Sequence, residues 1–146
     1  MSDQFFGELV SFAVGIIDLE YSLTHASQTG ETTPQQLKIL RLVFLSPGQT
    51  LSALSDCLGI SLPNASREIK KLSDLGLVEK TGGTEDRRVT SLRLSPAGMT
   101  LVQALFDRMA EIFYRKQGTW DEGRMAETRQ AMAVLQRNLL GQSEGN

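Results

Sequence analysis

Asn64, Ser66, Arg67, Lys70 and Lys71 crowd one short stretch, SLPNASREIKKLSD from Ser61 to Asp74. Asn64, Arg67 and Lys71 recur at steps of three and four, so a helix puts them on one face, flanked by Ser66 and Lys70. Ala65, Ile69 and Leu72 fall on the other side and predict the inward line. An amide and a guanidinium on the leading turns suit base edges, because arginine matches guanine acceptors and asparagine matches adenine. Hydroxyl and ammonium groups suit phosphate oxygens, which fix register. A solvated polar helix face is the plain alternative. A second basic group, Asp86, Arg87 and Arg88, stands in a polar turn just downstream. Adjacent arginines suit the negative potential of a narrow minor groove, and Asp86 is expected to hold Arg88 by accepting its hydrogen bonds. A charge-balanced surface turn is the alternative there.

These groups need a scaffold, and the flanking sequence predicts one. Ser61 is placed to cap the helix over residues 62–75, with Leu62 and Pro63 in its first turn. A shorter helix over 52–58 precedes it, with Leu51, Leu54 and Leu58 on one side and Asp56 on the other. Gly59 permits the turn between them and Ile60 plugs the core. Cys57 is expected to be a buried structural thiol, since no basic neighbour in sequence would lower its pKa. Upstream, Thr33, Pro34 and Gln36 form a capping box that opens a helix carrying Leu37, Ile39, Leu40, Val43 and Phe44. Ser46-Pro47-Gly48 stops it. Downstream, Gly76 ends the main helix, Leu77 and Val78 lead into a strand, and Lys80–Thr84 form a flexible approach to the turn. A second strand over 89–94 points Leu92 and Leu94 inward and Arg93 outward. Helix, tight turn, helix and hairpin make a winged helix-turn-helix.

The ends of the chain read differently. Phe5, Leu9, Phe12, Ile16, Leu19 and Leu23 alternate at steps of four and three, and Phe6, Val10, Ala13 and Ile17 widen the stripe. Half of a subunit interface explains so broad a face; packing inside one domain is the other reading. Ser95-Pro96 opens a helix with Leu101, Val102, Leu105, Met109, Ile112 and Phe113 on one side, ending before Gly118. Met125, Thr128, Met132, Leu135 and Leu139 line a last helix, and residues 141–146 are expected to fray. The expected fold is mainly α with a small β wing. Residues 1–32 form a dimerisation helix and linker, 33–95 the winged lobe, and 96–146 helices that contribute to dimerisation.

Forty per cent apolar residues can fill a core, and a single cysteine excludes an intramolecular disulfide. Neither a secretory signal nor an apolar run long enough for a membrane span is visible, so a cytoplasmic location is expected. Net charge is −2, but residues 1–35 hold five acids and no Lys or Arg, whereas 36–93 hold nine basic and six acidic residues. The positive excess sits where a nucleic acid would meet the chain, and it is modest. Paired carboxylates, a nucleophile–base pair and metal-ligand spacing are all missing, so neither an enzyme nor a cofactor or metal site is expected.

TPQQLKIL, LSALSDCLGISLPNASREIKKLSDLGLVEK and DRRVTSLRLSPAG resemble the MarR family of winged-helix transcriptional regulators. Ser95 stands where that pattern usually has threonine and keeps the capping hydroxyl. The resemblance implies a homodimer built on the N- and C-terminal helices, with two lobes on a pseudo-palindromic double-stranded DNA site. It sets Asn64, Ser66, Arg67 and Lys71 on the DNA-facing helix and matches Asp86 and Arg88 to the wing pair. It also implies repression relieved by a small aromatic or lipophilic effector. Phe12, Ile16, Tyr21 and Phe113, with His25 at the polar edge, are candidates to line the effector crevice. The family's thiol sensors carry their cysteine near the chain start, which Cys57 does not match. A winged-helix module that binds protein rather than duplex is the competing function.

Overall fold

The computed structural model describes residues 3–28, 32–82 and 89–141. Six α-helices and a three-stranded sheet account for most of them. In chain order these are α1 (Gln4–Ser27), α2 (Pro34–Leu45), β1 (Gln49–Thr50), α3 (Leu51–Leu58), α4 (Leu62–Asp74), β2 (Val78–Thr81), β3 (Ser91–Leu94), α5 (Pro96–Gln117) and α6 (Glu122–Leu135). A π-helical turn, Gln136–Leu140, extends α6. Two compact units divide the chain within α5, at Ala110 and Glu111. No helix among the described residues is long and apolar enough to cross a membrane.

In the first unit, α2, α3, α4, the sheet and the first half of α5 close around one core. Ile39, Leu40, Val43, Leu54, Ala65, Ile69, Leu72, Leu92 and Val102 are fully buried in it. The helix starts are set by local chemistry. Thr33 accepts from Gln36 N while the Gln36 side chain accepts from Thr33 N, at 3.1 and 3.0 Å, so the expected capping box forms. Thr50 caps α3 by accepting from Ala53 N at 3.1 Å, so the helix starts at Leu51, one residue earlier than expected.

The sheet is antiparallel with order β1-β3-β2. Val78 faces Leu94, Lys80 faces Leu92, and Gln49 faces Leu92 from the other edge. Lys80 and Thr81 therefore belong to a strand rather than to a flexible approach. The third strand, β1, was not anticipated. Its two residues carry no periodicity, and it exists because Gly48 N donates to Leu92 O at 2.9 Å across the sheet. Gly48 takes φ +85° there, which glycine alone adopts without strain.

The start of α5 is seated on the turn after α4. Ser95 N donates to Leu77 O at 3.0 Å, the Ser95 hydroxyl donates to Gly76 O, and Gly98 N donates back to Ser95 Oγ at 3.0 Å. A Cβ at Gly98 would lie 2.1 Å from Leu77 O. Only glycine fits this approach. Between α1 and α2 runs one ion pair, Glu20 with Arg41, and Arg108 Nε donates to Ser27 O at 3.0 Å at the end of α1. Burial pushes the Glu20 carboxyl up, but the Arg41 hydrogen bond and charge, the Thr24 hydroxyl and the charge of Lys38 together hold it below its ordinary value.

α1 runs longer than the stripe in its sequence, to Ser27. Phe5, Phe6, Val10, Phe12, Val14, Ile16, Ile17 and Tyr21 are all exposed on it. In the second unit Trp120 packs at 5.5 Å from Phe113 and lies under the Arg124 guanidinium, 3.9 Å from the ring centre. Asp121 caps α6 by accepting from Arg124 N at 2.7 Å. No residue of α6 is buried within this chain.

Candidate nucleic-acid interface

The polar face of α4 is built from both ends. Ser61 accepts from Asn64 N at 3.2 Å, satisfying a free donor of the first turn, and Pro63 occupies a position where no intrahelical donor is lost. At the far end Leu77 N donates to Leu72 O and Gly76 N to Ser73 O, each at 2.9 Å, with Gly76 at φ +73°. That pair of bonds is a Schellman closure. Between the caps, Ala65, Ile69 and Leu72 are fully buried, as their spacing predicted. Rotation about the axis then leaves Asn64, Arg67, Lys70 and Lys71 exposed, with Ser66 half-buried at the flank.

The face is less basic than its lysines suggest. Lys70 Nζ lies 3.0 Å from Asp74 Oδ2, and Lys71 Nζ lies 3.3 Å from Glu68 Oε1. Arg67 donates instead to the neutral side-chain carbonyl of Asn64. The partners Glu68 and Asp74 were missed in sequence, although their spacing of three and four from the lysines was there to be seen. Arg93, exposed on β3 opposite Glu79, is a further cation with no ion-pair partner among the described residues. Asp86, Arg87 and Arg88 lie outside the described residues.

The effector candidates separate. A cleft of about 490 Å³ is lined by Ile17, Glu20, Tyr21, Thr24, His25, Lys38 and Arg41, among others. Tyr21 and His25 are stacked in it, ring centres 5.8 Å apart. Phe12 and Ile16 do not line it; Ile17, one step of helix rotation on from Ile16, does. Phe113 belongs to the second unit and packs with Tyr114 and Trp120 there. Lys38 and Arg41 were not anticipated; they come from α2, and nothing local in sequence brings them to α1. Cys57 is exposed, contrary to the buried thiol expected, because α3 turns Leu54 and Ser55 inward and leaves Cys57 beside Asp56 on the outer side. Among the described residues no cluster of His, Cys, Asp or Glu could hold a metal ion.

Residues 32–89 match the model of the MarR family. Solved structures share the fold over nearly the whole chain. A MarR family protein from Bacillus stearothermophilus has a TM-score of 0.73 at 15% identity, covering 96% of this chain and 99% of that one. The Staphylococcus aureus MarR bound to salicylate and kanamycin has a TM-score of 0.63 at 22% identity, over 97% and 94%. Streptococcus pneumoniae FabT in complex with DNA has a TM-score of 0.56 at 18% identity, over 92% and 96%. No curated protein matches the sequence. The fold is a winged helix-turn-helix, mainly helical with a small β wing.

Proposed function

We propose that the chain, whose residues 32–89 match the model of the MarR family, is a homodimeric, sequence-specific, double-stranded DNA-binding transcriptional regulator, acting as a repressor. The observation that carries this is the two-sided character of α4, with one line of apolar side chains fully buried and Asn64, Arg67, Lys70 and Lys71 exposed opposite. Such a helix enters a major groove with its leading turns on base edges. Asp86, Arg87 and Arg88 are assigned to the neighbouring groove from their sequence. The exposed apolar face of α1 supports a second copy, and two copies would meet half-sites about one helical turn apart, or a multiple of it.

Selection of genomic fragments by the purified protein tests this directly. One enriched pseudo-palindrome is the expected result; no enrichment at low salt would sink the proposal and favour a protein-binding module. On the enriched duplex, Arg67→Ala should cost about 1–3 kcal/mol that is absent on a scrambled one. Lys70→Ala should weaken both alike and flatten the salt dependence.

Release by a small effector is the second part of the proposal. The cleft beside Tyr21 and His25 combines apolar Ile17 and Leu58 with Lys38 and with Arg41, the latter paired with Glu20, so Lys38 is the cation that suits an aromatic acid. Such a ligand acts if it prefers a lobe spacing that does not fit DNA. Duplex affinity should fall when salicylate is added. Unchanged affinity at ligand saturation would exclude this class.

A further inference from the structure

Asn64 and Arg67 are bonded to each other. The guanidinium Nη2 donates to the amide Oδ1 across one helical turn, and both side chains are exposed. Neither Lys70 nor Lys71 stands in this position, since each is held by a carboxylate. Arg67 is thus the cation of α4 that is held in place without being neutralised. The bond engages one nitrogen of a planar fork carrying five N–H donors, so the donors needed for a bidentate pair with guanine O6 and N7 remain. An asparagine that reads adenine works the other way, using its carbonyl on N6 and its amide on N7. Here one of the two lone pairs of that carbonyl already serves Arg67, and keeping that bond competes with turning the amide toward an adenine edge.

We propose that Asn64 is a positioning residue for Arg67: it aims the guanidinium at a guanine and reads no base itself. The inference rests on the DNA-binding reading above and assigns the division of labour within it. Holding the fork before contact removes rotamer freedom that would otherwise be lost on binding. The bond is made by the side chain, whereas Ser61 bonds only the Asn64 backbone N. Truncating Asn64 therefore leaves the cap of α4 in place.

The test selects from a random-sequence duplex library with the wild type, Asn64→Ala, Arg67→Ala, the double variant and Asn64→Asp. Arg67→Ala should lose roughly 5- to 150-fold discrimination at one G·C pair. Asn64→Ala should flatten that same pair by a smaller factor, and the double variant should be no flatter than Arg67→Ala alone. Asn64→Asp keeps the acceptor and loses the amide donor. It should retain the preferred guanine while weakening every sequence alike, because a carboxylate now faces phosphate. Circular dichroism and melting of each variant confirm that the helix survives. If Asn64→Ala alters a different base pair, changes nothing, or multiplies with Arg67→Ala, the proposal falls while DNA reading stands. If the wild type itself enriches no sequence, both fall together.

Discussion

α1 and α4 are both amphipathic helices, and the chain treats them in opposite ways. The inward residues of α4 are buried to zero exposure, whereas Phe5, Ile17 and Tyr21 of α1 keep 65%, 63% and 66%. α4 finds its apolar partners in α2, α3 and the sheet of the same chain. Most of the α1 stripe finds none. Contiguous exposed apolar surface of this kind marks an interaction site. The contrast locates the limit of what one chain can stabilise: the lobe completes its own core, and α1 leaves most of its apolar stripe uncovered.

Ile16→Asp puts the contrast to its hardest test. Ile16 is half exposed in the single chain, so the change should cost little there. In a dimer it removes the further burial of the exposed half of that side chain, about 1.5–3 kcal/mol for the pair, and buries two carboxylates, which costs several kcal/mol more. Analytical ultracentrifugation should then show monomer, and the melting temperature should lose its dependence on protein concentration. A variant still dimeric at micromolar concentration would break the comparison.

Ile69→Ala probes the other side. A fully buried isoleucine cut to alanine should destabilise the lobe by about 2–5 kcal/mol. Chemical denaturation should report this loss equally in the dimer and in the Ile16→Asp background, since the core lies within one chain. Coupling between the two changes would mean that the lobe is not self-sufficient.

Gly98→Ala sharpens the same point at a single atom. In a free helix alanine would gain up to about 1 kcal/mol over glycine. Against Leu77 O at 2.1 Å it should instead lose about 1–3 kcal/mol, since the obstacle is backbone. The sign of the change in melting temperature decides.

Legibility in the sequence follows the same division. The capping box at Thr33, the cap at Ser61 and the line Ala65, Ile69, Leu72 were readable because each depends on neighbours within a few residues. β1 was not, since a two-residue strand is defined only by a partner more than forty residues away. Cys57 was misplaced because α3 is short and its apolar side is narrow, so one step in sequence moves a residue from core to solvent. The α4 polar face was legible in its residues but not in its pairing. Glu68 and Asp74 share the face with the lysines, and composition counts them without saying what they touch. Lys38 and Arg41 reached the cleft by tertiary packing alone.

The smallest effect concerns the ion pair at the edge between these regimes. Glu20 of α1 and Arg41 of α2 join the helix that lacks partners to the lobe that has them. The Glu20 side chain is about half exposed, so solvent screening limits the pair to under about 1 kcal/mol. Its folded pKa is lowered. A depressed carboxylate pKa adds stability that is present above the unfolded value, about 4.3, and is lost as pH falls through the folded value. Glu20→Gln should therefore lower the melting temperature slightly at pH 7, and the gap from wild type should close below about pH 4. A gap that persists at pH 3 would show that Glu20 holds α1 by packing and by the hydrogen bond it accepts from Arg41 even when protonated, rather than by charge. In that case α1 is tied to its own lobe more firmly than its exposed face suggests.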